Sequence, residues 1–396
     1  MRHGFLVILG ICFSLQITAQ EKQFSGSFAP VFKYKSDSIE YARLDPEHRQ
    51  NFLTGKKYRM RMIVRQNRDF TPYQELSHIT NKDSITKISI AGNNDRELPP
   101  GLSEYKNLES LELINFRLRK LPKDIAVKRL ILYVNGPARR LRLPNNSTIR
   151  QLVIRGDEKN KLPRRYDRLK SLESLQLSWN QMKKFPNVKG CDSLKTLDLN
   201  NNDIQRISQA VAGLKRLENL SLYNNDLKEI PPFLYTMQSL RIIDFYYNHL
   251  TNVSPAIAKL KNLEIIYLAN NELRELPDEI GELKNLWALY VHHNLLTSLP
   301  SSVRNMASLS ILRVNNNNLT QWPEGVTALK GLTNFDCSFN LLQTLPVNEL
   351  DYPNMKLIAL SGNPWDPKVK LDLQAWANKQ QDKDVVIILE GIMGGK

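Results

Sequence analysis

The chain has little cysteine. Cys12, Cys191 and Cys337 are the three among 396 residues, too few for the disulfide framework that staples small secreted domains and without the paired spacing of a zinc site. Motifs that carry chemistry are missing too. There is no nucleophile elbow and no H-E-x-x-H, and the closing stretch from Gly391 to Lys396 lacks both the spacing and the Ser or Thr of a phosphate loop. Histidine is scarce, with six residues, of which only His292 and His293 are adjacent. Neighbours on a strand point to opposite faces, so that pair would need a turn to act together. These absences exclude the common hydrolytic and metal-dependent designs. A non-enzymatic protein without cofactors is expected.

Long apolar runs are absent as well. The longest, Phe5 to Leu15, is about half the ~20 residues that span a bilayer. It follows Arg2 and precedes Ile17-Thr18-Ala19, the layout of a secretory signal over residues 1–20. Cys12 follows Ile11 rather than a small residue, which argues against a lipid anchor. The expectation is an exported protein with no transmembrane span, whether secreted, periplasmic or held at the cell surface.

Charge is abundant but uneven. Residues 21–170 hold 32 Lys/Arg against 17 Asp/Glu, whereas residues 171–396 hold 22 against 23. The basic excess therefore belongs to the first part of the mature chain. It fits either a solvated basic face or attraction to an anionic surface.

What the sequence does have is a period. In residues 263–285, Leu263, Ile266 and Leu268 are spaced 1, 4, 6; Asn271 follows at position 9, Leu273 at 11, Leu276-Pro277 at 14–15, Ile280 at 18 and Leu283 at 21. Thirteen such copies open at Ile85, Leu108, Val127, Ile149, Leu172, Leu194, Leu217, Leu240, Leu263, Leu286, Leu309, Leu332 and Met355. Most intervals are 23 residues, with 22 before Ile149 and Leu194 and 19 before Val127. Apolar positions 4 and 6 between polar neighbours describe a half-buried strand. Position 9 is Asn in eleven copies, with Phe116 and Asp157 the departures; an amide there can bond the backbone of its own turn and of the next coil. Proline at position 15 removes a donor and fixes the exit from the strand. Ser208 and Ser254 replace it in two copies.

This frame resembles the leucine-rich repeat, of the 23-residue Leu-Pro kind, over residues 85–363. The resemblance implies an α/β solenoid: a curved right-handed horseshoe with a parallel concave sheet, short convex helical turns and non-repeat caps. It also implies protein binding on the concave face. In that frame Cys191 and Cys337 lie seven copies apart, about 30 Å at one strand spacing per copy, so both are expected as free thiols.

The caps are expected at residues 21–84 and 364–396. Gln20 to Ala29 reads as a disordered start. Asp45-Pro46-Glu47 and Thr71-Pro72-Tyr73-Gln74 read as helix openings, and Tyr58 to Val64 alternates as a strand. Gly362-Asn363-Pro364-Trp365 opens the C-terminal close, with Leu371, Leu373 and Trp376 on a helix and a last strand near Val385–Leu389.

Positions 3, 5, 7 and 8 are free of the frame and are expected to face outward from the concave sheet. There the sequence offers Trp179, Asn200, Tyr223, Asp244, Tyr246, Tyr247, Tyr267, Tyr290, His292 and Arg313. Five tyrosines in four consecutive copies make an aromatic track, and tyrosine is a favoured interface residue. Sheets favour tyrosine for packing alone, but exposed rings are costly to keep without a partner. The expected ligand is a protein, with a glycan or envelope polymer as the alternative. The basic surface candidates, Arg139, Arg140, Arg142, Arg164 and Arg165, lie away from the aromatic track, which counts against nucleic acid as the partner.

Overall fold

The computed structural model describes residues 26–32, 58–64 and 82–389, the last with interruptions at 93, 122–124, 135–140, 144–147, 157–161, 164–165 and 381–384. The chain divides into two compact units, Met1–Thr71 and Pro72–Lys396. In the first, β1 (Gly26–Phe32) pairs antiparallel with β2 (Tyr58–Val64), Gly26 opposite Val64 and Phe32 opposite Tyr58. The strand read at Tyr58 to Val64 is present. The expectation of disorder as far as Ala29 is corrected, because Gly26–Ala29 already belongs to β1. The signal at 1–20 and the helix openings at Asp45 and Thr71 lie outside the described residues.

The second unit is a stack. Four five-residue strands come first, β3 (Lys87–Ala91), β4 (Ser110–Ile114), β5 (Arg129–Tyr133) and β6 (Gln151–Arg155). Nine three-residue strands follow: β7 (Ser174–Gln176), β8 (Thr196–Asp198), β9 (Asn219–Ser221), β10 (Ile242–Asp244), β11 (Ile265–Tyr267), β12 (Ala288–Tyr290), β13 (Ile311–Arg313), β14 (Asn334–Asp336) and β15 (Leu357–Ala359). Each repeat supplies one strand. With β16 (Val386–Ile388) they form one parallel sheet of fourteen strands in chain order, in constant register, Ile243 beside Ile266 and Ile266 beside Leu289. The solenoid expected from the period is the fold.

The frame residues are the core. In the copy from Leu263 to Asn285, Leu263, Ile266, Leu273, Ile280 and Leu283 have no exposed surface, and Leu268 has 1%. Burying each such side chain contributes about 1.5–3 kcal/mol. Phe245 and Phe335 fill the same inner positions and are fully buried. Cys191 and Cys337 are buried free thiols.

On the side away from the sheet, the copies opening from Leu194 to Leu332 turn back through a short 3-10 helix, such as Asp278–Glu282 after Pro277. Ile280 N–H reaches Pro277 O at 3.0 Å, and Leu283 N–H reaches Ile280 O at 3.2 Å. Where serine replaces the proline, its hydroxyl takes over as cap: Ser208 Oγ accepts from Ala210 N–H at 3.3 Å and Ser254 Oγ from Ala256 N–H at 3.2 Å. Gly281 is needed for close approach, since any Cβ there would collide with the Ser302 carbonyl of the next coil.

Helix α1 (Pro367–Lys379) and β16 close the stack. Leu373 is buried and Trp376 Nε1 donates to Leu350 O at 3.2 Å, but Leu371 is 73% exposed and takes no part in the closure expected of it. Among the described residues no helix is long and apolar enough to cross a membrane.

Position 2 carries a ladder of opposite charges along one edge. Lys128 meets Glu109; Glu173 lies between Arg150 and Lys195 at 3.2 Å from each; Arg241 lies between Glu218 at 4.0 Å and Glu264 at 2.5 Å. Solvent screening keeps such exposed pairs weak.

The asparagines join copy to copy. Asn271 Nδ2 donates to Phe245 O, Leu268 O and Ala269 O at 2.9, 2.9 and 3.2 Å, and its Oδ1 accepts from Leu250 N–H at 3.0 Å. Asn271→Ala leaves buried backbone groups in two coils without partners, each costing about 1–3 kcal/mol. We expect the urea midpoint to fall by the equivalent of about 2 kcal/mol or more, and an unchanged midpoint would remove the ladder from the account of stability.

Candidate functional site

Positions 4 and 6 point into the stack, so positions 5 and 7 stand on the open face of the sheet. Tyr223, Tyr246 and His292 come from position 7, Tyr267, Tyr290, Asp244 and Arg313 from position 5. The rings do not form a single exposed line. They make two stacks. Tyr223 and Tyr246 lie 5.5 Å apart at 15°, with Tyr247 edge-on to both at 5.7 and 4.6 Å. Tyr267 and Tyr290 lie 4.7 Å apart at 14°. His292 bridges them, 5.6 Å from Tyr246 and 6.4 Å from Tyr290 by ring centroids. It does so because position 7 of the intervening copy is the small, buried Ala269, over which Tyr246 Oη reaches to 3.5 Å from His292 Nε2. The rings stand on the open face but are less exposed than the sequence suggests: Tyr290 keeps only 6% of its surface, and the other four tyrosines are half-buried.

Burial sets the charges. It raises the hydroxyl pKa of Tyr246 and Tyr290, and pushes that of Tyr267 up to about 12. It lowers His292 to about 3, helped by the neighbouring His293 and Arg313. It also lowers His293, against the pull of Asp336. The middle of the face is therefore neutral rings and hydroxyls. Four buried polar atoms beside them have no partner: Asn270 Nδ2, His292 Nδ1, Arg313 Nε and Asn315 Oδ1. They sit in consecutive coils, Asn270 N–H bonding His292 O at 3.0 Å and His293 N–H bonding Asn315 O at 2.9 Å.

Asp244 belongs to a hydrogen-bonded relay. Its Oδ1 accepts from Tyr246 N–H at 3.1 Å, as Asp198 Oδ1 does from Asn200 N–H at 2.9 Å and Asp336 Oδ1 from Ser338 N–H at 3.1 Å. Its Oδ2 lies 2.9 Å from Ser221 Oγ, which lies 2.5 Å from Asn200 Oδ1. Asn200 Oδ1 also accepts from Tyr223 N–H at 2.9 Å, which fixes it as the oxygen. The single Ser221 proton is then needed by Asn200, and a proton on Asp244 completes the chain. Desolvation raises Asp244 to about 7, against the hydrogen bonds that its ionised form takes from Tyr246 N–H and Ser221 Oγ and with a smaller push from Asp198.

Position 8 lies where the chain leaves the sheet, and in eleven copies its backbone is left-handed. Five of these residues are Asn and two are Gly, the types that tolerate φ near +55°. The other four are Trp179 (64°), Tyr247 (54°), His293 (52°) and Phe339 (52°). A side chain with Cβ costs about 1–2 kcal/mol in this region, less for asparagine. This turn also brings the His292 and His293 rings to within 5.5 Å of each other, where a straight strand would part them. Among the described residues no three His, Cys, Asp or Glu side chains gather as a metal set.

Of the expected residues, the structure brings together Tyr223, Tyr246, Tyr247, Tyr267, Tyr290 and His292. Arg313 lies beside Tyr290 on the neighbouring strand, and Trp179 is three copies before Tyr247. Asn200 spends its carbonyl within the face. Arg142 is exposed and joined to the Lys120 strand edge; Arg139, Arg140, Arg164 and Arg165 lie outside the described residues. Sequence reasoning missed Ser221 and the left-handed turn. The paired asparagines at Asn201-Asn202, Asn224-Asn225 and Asn270-Asn271 were the available signal.

The chain carries leucine-rich repeats. A leucine-rich repeat region family model matches residues 234–350, and a second leucine-rich repeat model matches residues 186–227. No curated protein matches by sequence. Among solved structures, a leucine-rich repeat protein of Leptospira interrogans is 23% identical, with 80% of this chain and 99% of that chain covered and a TM-score of 0.53. An internalin (inlF) of Listeria monocytogenes is 18% identical, with 79% and 88% covered and a TM-score of 0.59. At these identities the likeness is one of fold.

A carboxyl raised in the folded state is protonated there when the unfolded chain has already ionised. Asp244 therefore lowers stability as pH rises from its unfolded value near ~3.9 to about 7, with no further change above. Asp244→Asn keeps a donor toward Ser221 and cannot ionise. We expect its Tm, relative to the wild type, to gain steadily between pH 4 and 7 and to level off by pH 8. A pH-independent difference would refute the buried acid.

Proposed function

We propose that the protein is an exported, non-enzymatic recognition protein that binds a protein ligand on the open face of its sheet. One observation carries this: two tyrosine stacks bridged by His292 form a neutral, largely desolvated aromatic surface. Nothing in the core requires these rings, since the frame residues at positions 1, 4, 6, 11, 18 and 21 fill it. Such surfaces gain contact area at low entropy cost, and rings of this type dominate binding energy at interfaces.

The unpartnered atoms of Asn270, His292, Arg313 and Asn315 favour a protein over other partners. They include donors and an acceptor together, which suits peptide groups. Their unmade bonds are recovered when contact re-aims the side chains onto a ligand. The basic first part of the chain, whose exposed residues include Arg142, contributes long-range attraction to an anionic partner or surface.

The partner is captured by a photo-crosslinking residue substituted for Tyr267, and its affinity is then measured directly. Tyr246→Ala combined with Tyr267→Ala is expected to weaken that complex by about a hundredfold or more, with Tm nearly unchanged. Undiminished affinity would remove this face as the site. A glycan array run on the same sample decides against a protein ligand if it alone gives specific binding. Association should also slow with added salt; a salt-independent on-rate removes the basic region from the mechanism.

A further inference from the structure

We propose that the strand-exit rim formed by His293, Leu295, Phe339 and Leu341 is a second contact line of the binding surface, and that it receives an uncharged, apolar segment of the protein partner. The proposal rests on the reading of the open face as a protein-binding surface and extends it to a different line of residues.

The first argument is conformational. Position 8 turns left-handed, and the frame supplies Asn or Gly there in seven copies. His293 and Phe339 keep bulky rings at φ of 52°. The Phe339 ring does nothing for the core in return, being 51% exposed, while the His293 ring is half-buried against His292. A residue held against its backbone preference without a packing role marks a site with another use.

The second argument is exposure at position 10. Elsewhere this position carries Asp203, Asp226 and Glu272, as a solvated edge should. In the copies of His293 and Phe339 it becomes Leu295 and Leu341, exposed at 40% and 50%. The copy between them offers Asn316 and Asn318. The strip is therefore apolar at both ends, amide in the middle and without a formal charge, His293 being held neutral by burial. Leucines give a sugar no hydrogen bonds, so this chemistry fits the apolar side chains of a protein segment.

The third argument is rigidity. Leu295 N–H bonds Leu273 O at 2.8 Å, Phe339 N–H bonds Ser361 O at 2.8 Å, and Leu341 N–H bonds Leu319 O at 2.9 Å. The side chains are thus displayed from fixed backbone. Gly362 in the next copy makes room for the Phe339 ring, since a Cβ there would collide with it. The strip is also continuous with the aromatic face, because His293 follows His292.

The test uses the full-length protein and a phage-displayed library of random short peptides. The rim variant is His293→Asn with Phe339→Asn; the face variant is Tyr246→Ala with Tyr267→Ala. The rim variant should melt higher than the wild type by roughly 2–4 °C. Peptides enriched on the wild type should carry apolar side chains and lose at least about tenfold in affinity for the rim variant. A lower melting temperature would show that the rings are structural and overturn the proposal. So would equal peptide binding by both proteins. Failure to enrich any peptide on the wild type overturns the choice of a peptide segment as occupant. Sedimentation showing a dimer that only the rim variant loses overturns it in favour of a second copy of this chain. Peptides lost by the rim variant but kept by the face variant uphold the rim and refute the aromatic face. The reverse pattern upholds the face and refutes the rim.

Discussion

From Asn180 to Asn363 the stack depends on one amide per copy. The strands β7 to β15 are only three residues long, too short to hold a coil together by themselves. Asn271 and its counterparts bind carbonyls in their own coil and the one before, and accept an N–H from the latter. For the amide to point inward at position 9, the chain must swing out at position 8, which is why that residue is left-handed. The same swing sends the following residues along an exposed edge. Core, turn and edge are thus fixed by where a backbone would otherwise lack partners. Positions 5, 7, 8 and 10 are what the constraint leaves free.

The use made of that freedom is uneven along the stack. The centre of the open face loses charge as it gains rings: His292 is held neutral, the tyrosines keep their protons, and Asp244 shares a relay with Ser221 and Asn200 instead of facing water. Recognition on such a surface depends on shape and on hydrogen bonds made in a dry setting, where an imperfect partner leaves groups unpaired. Selectivity of that kind does not need the basic residues earlier in the chain.

The fold was legible because its determinants are periodic. Leu263, Ile266, Leu268, Asn271 and Pro277 recur with fixed spacing, and each has a local physical reason. The site was legible only as columns of residues. Adjacency in a column follows from the register, so Tyr267 beside Tyr290 could be read. The Tyr246–His292 contact could not, because it skips a copy and depends on Ala269 being small. The relay through Ser221 was hidden for another reason: serine at position 5 looks like any polar strand residue until its neighbours on both sides are known. The strand at Gly26–Phe32 was missed because its pairing partner lies far along the chain, at Tyr58–Val64, and Pro30 in its middle argues locally against a strand.

The charge ladder at position 2 has a bearing on how such a chain can lengthen or shorten. From Glu173 through Lys195, Glu218 and Arg241 to Glu264 the sign alternates copy by copy. Removing one copy from this run would set like charges side by side, Glu218 against Glu264 for example, whereas removing two adjacent copies would restore an opposite pair. The core is indifferent to the difference, since every copy presents the same apolar frame. The edge is not. It makes the pair of copies, rather than the single copy, the unit by which this part of the stack can grow or shrink without electrical conflict. The one break in alternation, Lys128 beside Arg150, falls within the early coils, where the 23-residue spacing also fails.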